Sequence, residues 1–332
     1  MPEQSGPILE VEGLSKTFNT SSGVVHRQAH SVDAVRDLSF GLNRGGSLGI
    51  VGESGSGKTT VARILMGLEP PTEGQIRLDG VIVGKPTNAT ARRERARQIQ
   101  MVFQDPYRSL DPRQHVGEGL DEIQRLHFRR AASDRALRSA ELVEAVGLSP
   151  RDAGAVPRAL SGGQRQRVAI ARALASETAI LILDEAVSAL DVSIQAQILN
   201  LLADLRARLG LTYIVISHDL AVVRQVADEC LVMYRGTVVE RGDVTTLLTE
   251  PRHPYTQRLV ASVPRPGMAL ELRTDRSSVD HLPGCVFRGR CPSEHGRCST
   301  EPPLLTVTRG HAAKCWLLEA APIAERAAGS EE

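Results

Sequence analysis

The stretch that most constrains this chain is GESGSGKT at residues 52–59. It fits G-x-x-x-x-G-K-[ST], follows the apolar SLGIV at 47–51, and leads into residues read as a helix from Lys58 to about Gly67. A strand, a glycine-rich loop and a helix in that order make a concavity. Gly52, Gly55 and Gly57 let the backbone curl around Ser54 and Ser56 so that its N–H groups point inward. The helix N-terminus adds a partial positive charge. Such a hollow suits phosphate. Lys58 can reach the β- and γ-phosphates of a nucleotide, the Thr59 hydroxyl suits Mg²⁺, and Thr60 follows in the same turn. Lysine is scarce elsewhere: only Lys16, Lys85 and Lys314 accompany Lys58 in 332 residues.

The rest of the chain supplies a fitting frame. AILILD at 179–184 is a continuous apolar run ending in an acid, the pattern of a parallel strand buried on both faces. Asp184 at its end faces the phosphate loop in such a fold and can hold the Mg²⁺ shell; Glu185 can turn toward the γ-phosphate and orient water. Strands are expected at 8–14, 35–42, 47–51, 75–83, 99–103, 179–184, 212–217, 230–235 and 237–241. Helical spacing runs through 115–147, 162–175, 192–209 and 219–227. The polar segment 19–31 reads as a loop, and ARRERAR at 91–97 as a solvated helix face. Alternating strands and helices predict an α/β fold with a mainly parallel sheet. After about residue 245 prolines become frequent, and 246–332 reads as an appended small domain.

Composition narrows the function. Forty Lys+Arg against 39 Asp+Glu leave a formal charge of +1, and aromatics are 3%, which argues against a nucleic-acid partner. The N-terminus MPEQSGPILEVEG has no basic start followed by an apolar stretch, so it does not read as a signal peptide. The best apolar run, Ile180–Leu183, is far short of the roughly 20 residues that cross a bilayer. These features point to a cytosolic chain that reaches a membrane only through a partner.

Five further segments distinguish among phosphate-loop proteins. LSGGQ stands at 160–164, SALD at 188–191, His218 lies in ISHDL, Gln104 in VFQDP, and Phe18 in LSKTF. In order and separation they resemble the signature, D-loop, H-loop, Q-loop and adenine-stacking motifs of ABC-type ATPases. The resemblance covers residues 8–245. It implies a P-loop nucleotide-binding domain over 1–245 with a RecA-like core, an antiparallel β subdomain and a helical subdomain at about 105–175. It also implies roles. Phe18, the loop from Gly52, and Lys58, Thr59 and Thr60 would bind ATP. Thr59, Gln104 and Asp184 would hold Mg²⁺. Glu185 would act as the base or water-orienting group, with His218 at the γ-phosphate. Ser161, Gly162, Gly163 and Gln164 would close over the ATP of a partner subunit, with Asp191 in the D-loop beside them. Ala186–Val187 replaces a common Pro–Thr and touches none of these roles.

VGESGSGKTT, QMVFQDPYRSLDPR, DEAVSALDVSIQAQILNLL, VMYRGTVVERG and EPRHPYTQRLVASVP narrow the resemblance to ATPase subunits of oligopeptide and dipeptide importers, the second (F-type) ATPase in particular. This implies a heterodimer with a sister ATPase, two membrane permeases met by the helical subdomain, an extracytoplasmic substrate-binding protein, and a peripheral place on the cytoplasmic face of the membrane. Importers for nickel, glutathione and oligosaccharides share these motifs, and a soluble ABC ATPase is the reading outside transport.

Cys285, Cys291, Cys298 and Cys315 crowd the last fifty residues, while Cys230 reads as a plain buried thiol. None of their gaps is the two-to-four-residue spacing typical of zinc ribbons. GCVFRGRCPSEHGRCS and GHAAKCW nevertheless resemble the C-terminal extension of the oligopeptide importer ATPases. A short proline-rich segment needs a staple, and four cytosolic thiolates suit a [4Fe–4S] cluster, or alternatively Zn²⁺, better than disulfides, with scattered thiols that bind no metal as the remaining reading. His295 and His311 nearby read as surface residues.

Overall fold

Apolar runs too short for a membrane become strands covered on both faces. The computed structural model describes residues 6–20, 30–188, 190–262 and 282–319. Its first part holds β1 (Leu9–Thr20), β2 (His30–Leu42), β3 (Ser47–Val51), α1 (Lys58–Leu65), β4 (Glu73–Leu78), β5 (Val81–Ile82), α2 (Ala89–Gln98) and β6 (Ile99–Val102). Helices fill the middle: α3 (Pro106–Ser109), α4 (Val116–His127), α5 (Ala132–Ala145), α6 (Pro150–Ala153) and α7 (Gly162–Leu174). Then come β7 (Ile180–Asp184), α8 (Val192–Leu209), β8 (Thr212–Ser217), α9 (Leu220–Val226), β9 (Glu229–Tyr234) and β10 (Thr237–Asp243). The last elements are α10 (Val244–Thr249), α11 (Pro254–Ala261), β11 (Leu305–Thr308) and β12 (His311–Ala313). Among the described residues no helix is long and apolar enough to cross a membrane.

The main sheet runs β11-β12-β10-β9-β3-β8-β7-β6, parallel from β9 to β6 and antiparallel beyond β9. Every residue of β3, β7 and β8 is buried. Period-two alternation splits their side chains between two cores. Leu48, Ile50, Ile180 and Ile182 face the side of a second, antiparallel sheet, β2-β1-β4-β5. Val51, Leu181 and Leu183 face the helices α4, α5 and α7–α9. The expected α/β class and mainly parallel core are both present.

Several elements differ in detail from the sequence reading. Residues 21–29 of the expected loop lie outside the described residues, as do Pro264 and Pro266; the described ends of that loop belong to the flanking strands, pairing Phe18 with Val32 and Thr20 with His30. The helical spacing over 115–147 resolves into α4 and α5, because Phe128 turns extended between them. Its ring lies under the guanidinium groups of Arg97 and Arg130, at 4.9 and 4.3 Å. The buried Gln124 side-chain amide joins the two helices by donating to the Leu120 and Arg135 carbonyls and to Ser139 Oγ. In the basic stretch at 91–97, Arg95 is not solvated. It is buried and donates to the Leu65 and Gly84 carbonyls at 2.6 and 3.0 Å.

The segment after residue 245 shares the core of what precedes it. β12 pairs with β10, placing Glu240 opposite Ala313 and Arg241 opposite Ala312, and β11 adds a further edge. Cys285, Phe287 and Cys298 belong to the same apolar cluster as α7–α9. His311, expected at the surface, is buried, because its Nε2 meets the buried Glu240 carboxylate at 2.8 Å. Glu240 also accepts from the backbone N–H groups of Arg252 and His253. His295 is exposed, as expected.

His253 gives this junction a pH dependence. It caps α11 by accepting from the Tyr255 N–H through Nδ1 at 3.1 Å, and burial pushes its pKa down from 6.5 to about 4. A folded-state pKa below the unfolded one makes stability complete above 6.5 and lost as pH falls toward 4. At about 1.4 kcal/mol per pKa unit this amounts to roughly 3 kcal/mol. His253→Asn keeps a capping acceptor and removes the titration. Urea unfolding between pH 6.5 and 4.5 should therefore show a shallower loss of stability in the variant; equal slopes would refute the assignment.

Candidate active site

The glycine-rich loop leaves the end of β3 and closes at the start of α1. Two of its glycines are required by contact as well as by backbone angle. At Gly52 (φ 154°) a Cβ would sit 2.1 Å from the Met233 carbonyl oxygen. At Gly57 (φ 105°) it would sit 2.1 Å from that of Ala34. Both obstacles are backbone atoms, which no rotamer change relieves. Lys58 opens α1 with its amine buried, donating to the Gly52 and Glu53 carbonyls at 2.7 and 2.9 Å and to Ser56 Oγ at 3.4 Å. Burial lowers its pKa, against the opposing pull of Glu185, Asp184 and Glu53.

Above the loop lies a cavity of about 600 Å³. Lys58, Thr59, Thr60, Gln104, Asp184 and Glu185 line it, drawn from three separate stretches of the chain. Asp184 ends β7, close enough to the Thr59 hydroxyl to be influenced by it. Burial raises its pKa, Glu185 adding to the shift and Thr59, Lys58 and Arg63 opposing it. Glu185 leaves the strand in the left-handed region, at φ 48°, with its N–H donating to the Ile216 carbonyl. That backbone is uncommon for a residue with a side chain and directs the carboxylate away from the β7 alternation. Its Oε1 lies 3.2 Å from His218 Nδ1, which follows β8.

Other expected residues lie elsewhere. Phe18, in β1, is partly exposed, with Lys16 Nζ 4.8 Å from its ring centroid; its cross-strand neighbour Val32 lines the cavity. Ser161 caps α7, accepting from the Gln164 N–H, and Gln164 Oε1 accepts from the Ser161 N–H. Gly162 and Gly163 pack beside Leu190 and Ile194. Asp191 precedes α8 and its carbonyl accepts from the Gln195 N–H. Among the described residues, none lining the 600 Å³ cavity comes from Ser161–Gln164. Arg36 and Arg235, which the sequence reading did not single out, also line it. No motif marks them: one comes from β2 and the other from the turn between β9 and β10.

The four C-terminal cysteines are free thiols close enough to affect one another. Burial pushes the Cys315 thiol up to about 11, with further contributions from Cys285, Cys291 and Cys298. The Cys285 N–H donates to the Cys298 carbonyl, and His295 Nδ1 lies 3.0 Å from Cys298 Sγ. Among the described residues no group of three or more His, Cys, Asp and Glu side chains is arranged to hold a metal ion. Cys230 is fully buried in β9, as expected.

This is a phosphate-loop site at the carboxyl ends of a parallel sheet, with an acid pair across from the lysine. The family model for ABC transporters matches residues 35–188, and that for the oligopeptide/dipeptide transporter C-terminal region matches 239–298. The chain is 42% identical to the oligopeptide transport ATP-binding protein AppF of Bacillus subtilis, over 89% of this chain and 92% of that one. It is 39% identical to the dipeptide transport ATP-binding protein DppF of Escherichia coli, over 94% and 95%. Among solved structures it resembles the dimeric ATP-binding cassette MJ0796 bound to ADP and Pi. There the TM-score is 0.63 at 29% identity, covering 71% of this chain and 98% of that one. It also resembles cbiO1 of Clostridium perfringens (TM-score 0.64, 27% identity, 74% and 92% covered). The chain belongs to the ABC transporter ATPases, in the group that carries the oligopeptide/dipeptide transporter C-terminal region.

The loop geometry makes a direct prediction. Gly57→Ala forces a Cβ against the Ala34 carbonyl at a left-handed φ, which should lower stability by about 2 kcal/mol or more. Urea denaturation checks this, and an unchanged midpoint would show that the loop is not held where the structure places it.

Proposed function

We infer that this chain is the ATP-hydrolysing subunit of a peptide importer, docked through permeases on the cytoplasmic face of the membrane. One observation carries the reading. Lys58, Thr59, Gln104, Asp184 and Glu185 share one cavity, while the capped start of α7 lies off it. A cis half-site and a separate signature half-site on one chain call for a second subunit. The dimeric cassette MJ0796, bound to ADP and Pi, supports that arrangement. A sister ATPase is the partner we propose, each chain closing its Ser161–Gln164 segment, or the equivalent, over the other's nucleotide. Residues 1–245 would form the ATP-binding unit and 246–332 its extension. Peptide is the proposed cargo because the relatives AppF and DppF are named for oligopeptide and dipeptide transport.

The chemistry follows from position and charge. Phe18 beside Val32 would meet the base, and the loop N–H groups with Lys58, Thr59 and Thr60 would hold the phosphates. Thr59, Gln104 and Asp184 provide three oxygen donors on one cavity, a set that suits Mg²⁺, which when bound offsets phosphate charge. Glu185 would orient and deprotonate the attacking water, and His218 would keep that carboxylate aimed and contact the γ-phosphate. Asp191 would stand at the subunit seam. The groove between α4, α5 and α6, lined by Gln114, Gly117, Asp121, Val143 and Leu148, offers the permeases a partly apolar socket. Glu185→Gln keeps shape and removes the base. In the complex with sister ATPase and permeases it should bind ATP normally, slow hydrolysis by about 100-fold or more, and stop ATP-driven peptide uptake. Wild-type turnover in that variant would refute the assignment.

The C-terminal thiols support a finer reading. Cys285, Cys291, Cys298 and Cys315 are right in chemistry for a [4Fe–4S] cluster, with Zn²⁺ as the alternative, and the first three lie near enough to Cys315 to raise its pKa. Their arrangement is not that of a closed metal site, so no step of the ATPase reaction is assigned to them. Anaerobically purified protein should contain iron and sulfide and absorb near ~400 nm. One zinc per chain and no colour would replace the cluster with zinc, and neither metal would leave a packed thiol core.

A further inference from the structure

The glycine-rich loop is tied to the cysteine-bearing segment through one residue, Glu53. Three parts of Glu53 are fixed at once. Its carbonyl accepts from the Lys58 amine, and its N–H donates to the Tyr255 hydroxyl at 2.8 Å. Its carboxylate receives both ends of the Arg290 guanidinium, Nη1 to Oε2 at 3.0 Å and Nη2 to Oε1 at 3.1 Å. This is the forked geometry that a lysine cannot reproduce. Arg290 Nη1 also donates to the Tyr234 hydroxyl at 2.9 Å.

Arg290 is itself held firmly. It directly precedes Cys291, and its N–H donates to the carbonyl of Phe287. Phe287 is fully buried, edge-on to Tyr234 at 5.3 Å and 5.5 Å from Tyr255. The aromatic group therefore fixes the arginine from below while its fork reaches the loop. The arginine side chain is 15% exposed and the carboxylate 39%, so solvent weakens the pairing without abolishing it.

Charge gives this contact a consequence. Glu53 lies in the loop whose task is to cradle an anion, and its carboxylate already acts on Lys58. Unpaired, it would leave a net negative charge at the start of the phosphate loop, within reach of Lys58, and free the loop's first turn. We propose that Arg290 is a positioning residue for nucleotide binding. It neutralises and orients Glu53, so that the cysteine-bearing segment sets the affinity of the phosphate loop. This rests on the reading of the cavity as the MgATP site.

The test uses the purified full chain and a fluorescent ATP analogue with Mg²⁺, plus hydrolysis by the assembled complex. Arg290→Gln should weaken binding by about fivefold, the upper size of a charge pair at a part-exposed site, with kcat changed less than about twofold. Arg290→Lys should fall between, keeping charge without the fork. Glu53→Gln in the Arg290→Gln background should recover most of the loss, because the unpaired charge is gone. A purely structural role would move urea stability and leave this charge-dependent pattern absent. Wild-type affinity in Arg290→Gln, or a loss that Glu53→Gln does not relieve, would overturn the proposal. Should Arg290→Gln not fold, Arg290→Lys decides: weaker binding supports the coupling and equal binding overturns it. A wild-type chain that binds no MgATP would instead overturn the parent reading.

Discussion

Four neighbouring parallel strands end at one edge of the sheet, and everything at the site depends on that. The order β3-β8-β7-β6 places the glycine-rich loop, His218, the acid pair and Gln104 side by side, although they are far apart in sequence. Hydrogen-bond register sets their heights: Val51 pairs with Ser217, Asp184 with Ile216, and Leu183 with Val102. A one-residue slip would exchange the side chains that fill the two cores and carry each polar end residue to the wrong side. The two cores against the sheet forbid such a slip, so burial fixes the geometry of the polar groups that follow.

The C-terminal segment obeys a different constraint. It has too little apolar material for a core of its own, so it borrows one. Phe287 enters the aromatic cluster with Tyr234 and Tyr255, and Ala312 and Ala313 extend the sheet. The buried Glu240 is the polar seam of this junction, satisfied by His311 and two backbone N–H groups. Removing any one partner would leave a buried acceptor short, which costs more than the bond itself contributes. This is how a proline-rich tail comes to sit against the phosphate loop.

What the sequence made legible were features carried by local pattern. GESGSGKT marked a turn between a strand and a helix, and AILILD marked a buried strand with an acid at its end. The alternation of strands with helices then made the mainly parallel sheet readable. Features set by distant pairing were not legible. The long pairing of β1 with β2 is carried by cross-strand partners such as Thr17 and Asp33, which the polar composition of 19–31 concealed. Arg95 read as solvated because nothing nearby announces the two carbonyls that receive it. Likewise His311 is buried only because Glu240 lies on the strand it joins. Arg36 and Arg235 reach the cavity through folding alone.

Glu185 shows where the two kinds of information meet. Sequence places it one residue beyond a buried strand, where alternation would send it opposite to Asp184. The left-handed backbone at φ 48° cancels that alternation and brings the carboxylate beside His218. Such a conformation is disfavoured for a side-chain-bearing residue by about 1–3 kcal/mol, so it persists only where neighbours over-determine it. Here the Glu185 N–H is held by the Ile216 carbonyl, and Ser188 returns hydrogen bonds to the Glu185 carbonyl from both its N–H and its hydroxyl. The strain is thus held by the sheet edge and the following turn. Both acids can then face one cavity, which two successive residues of a regular strand cannot do.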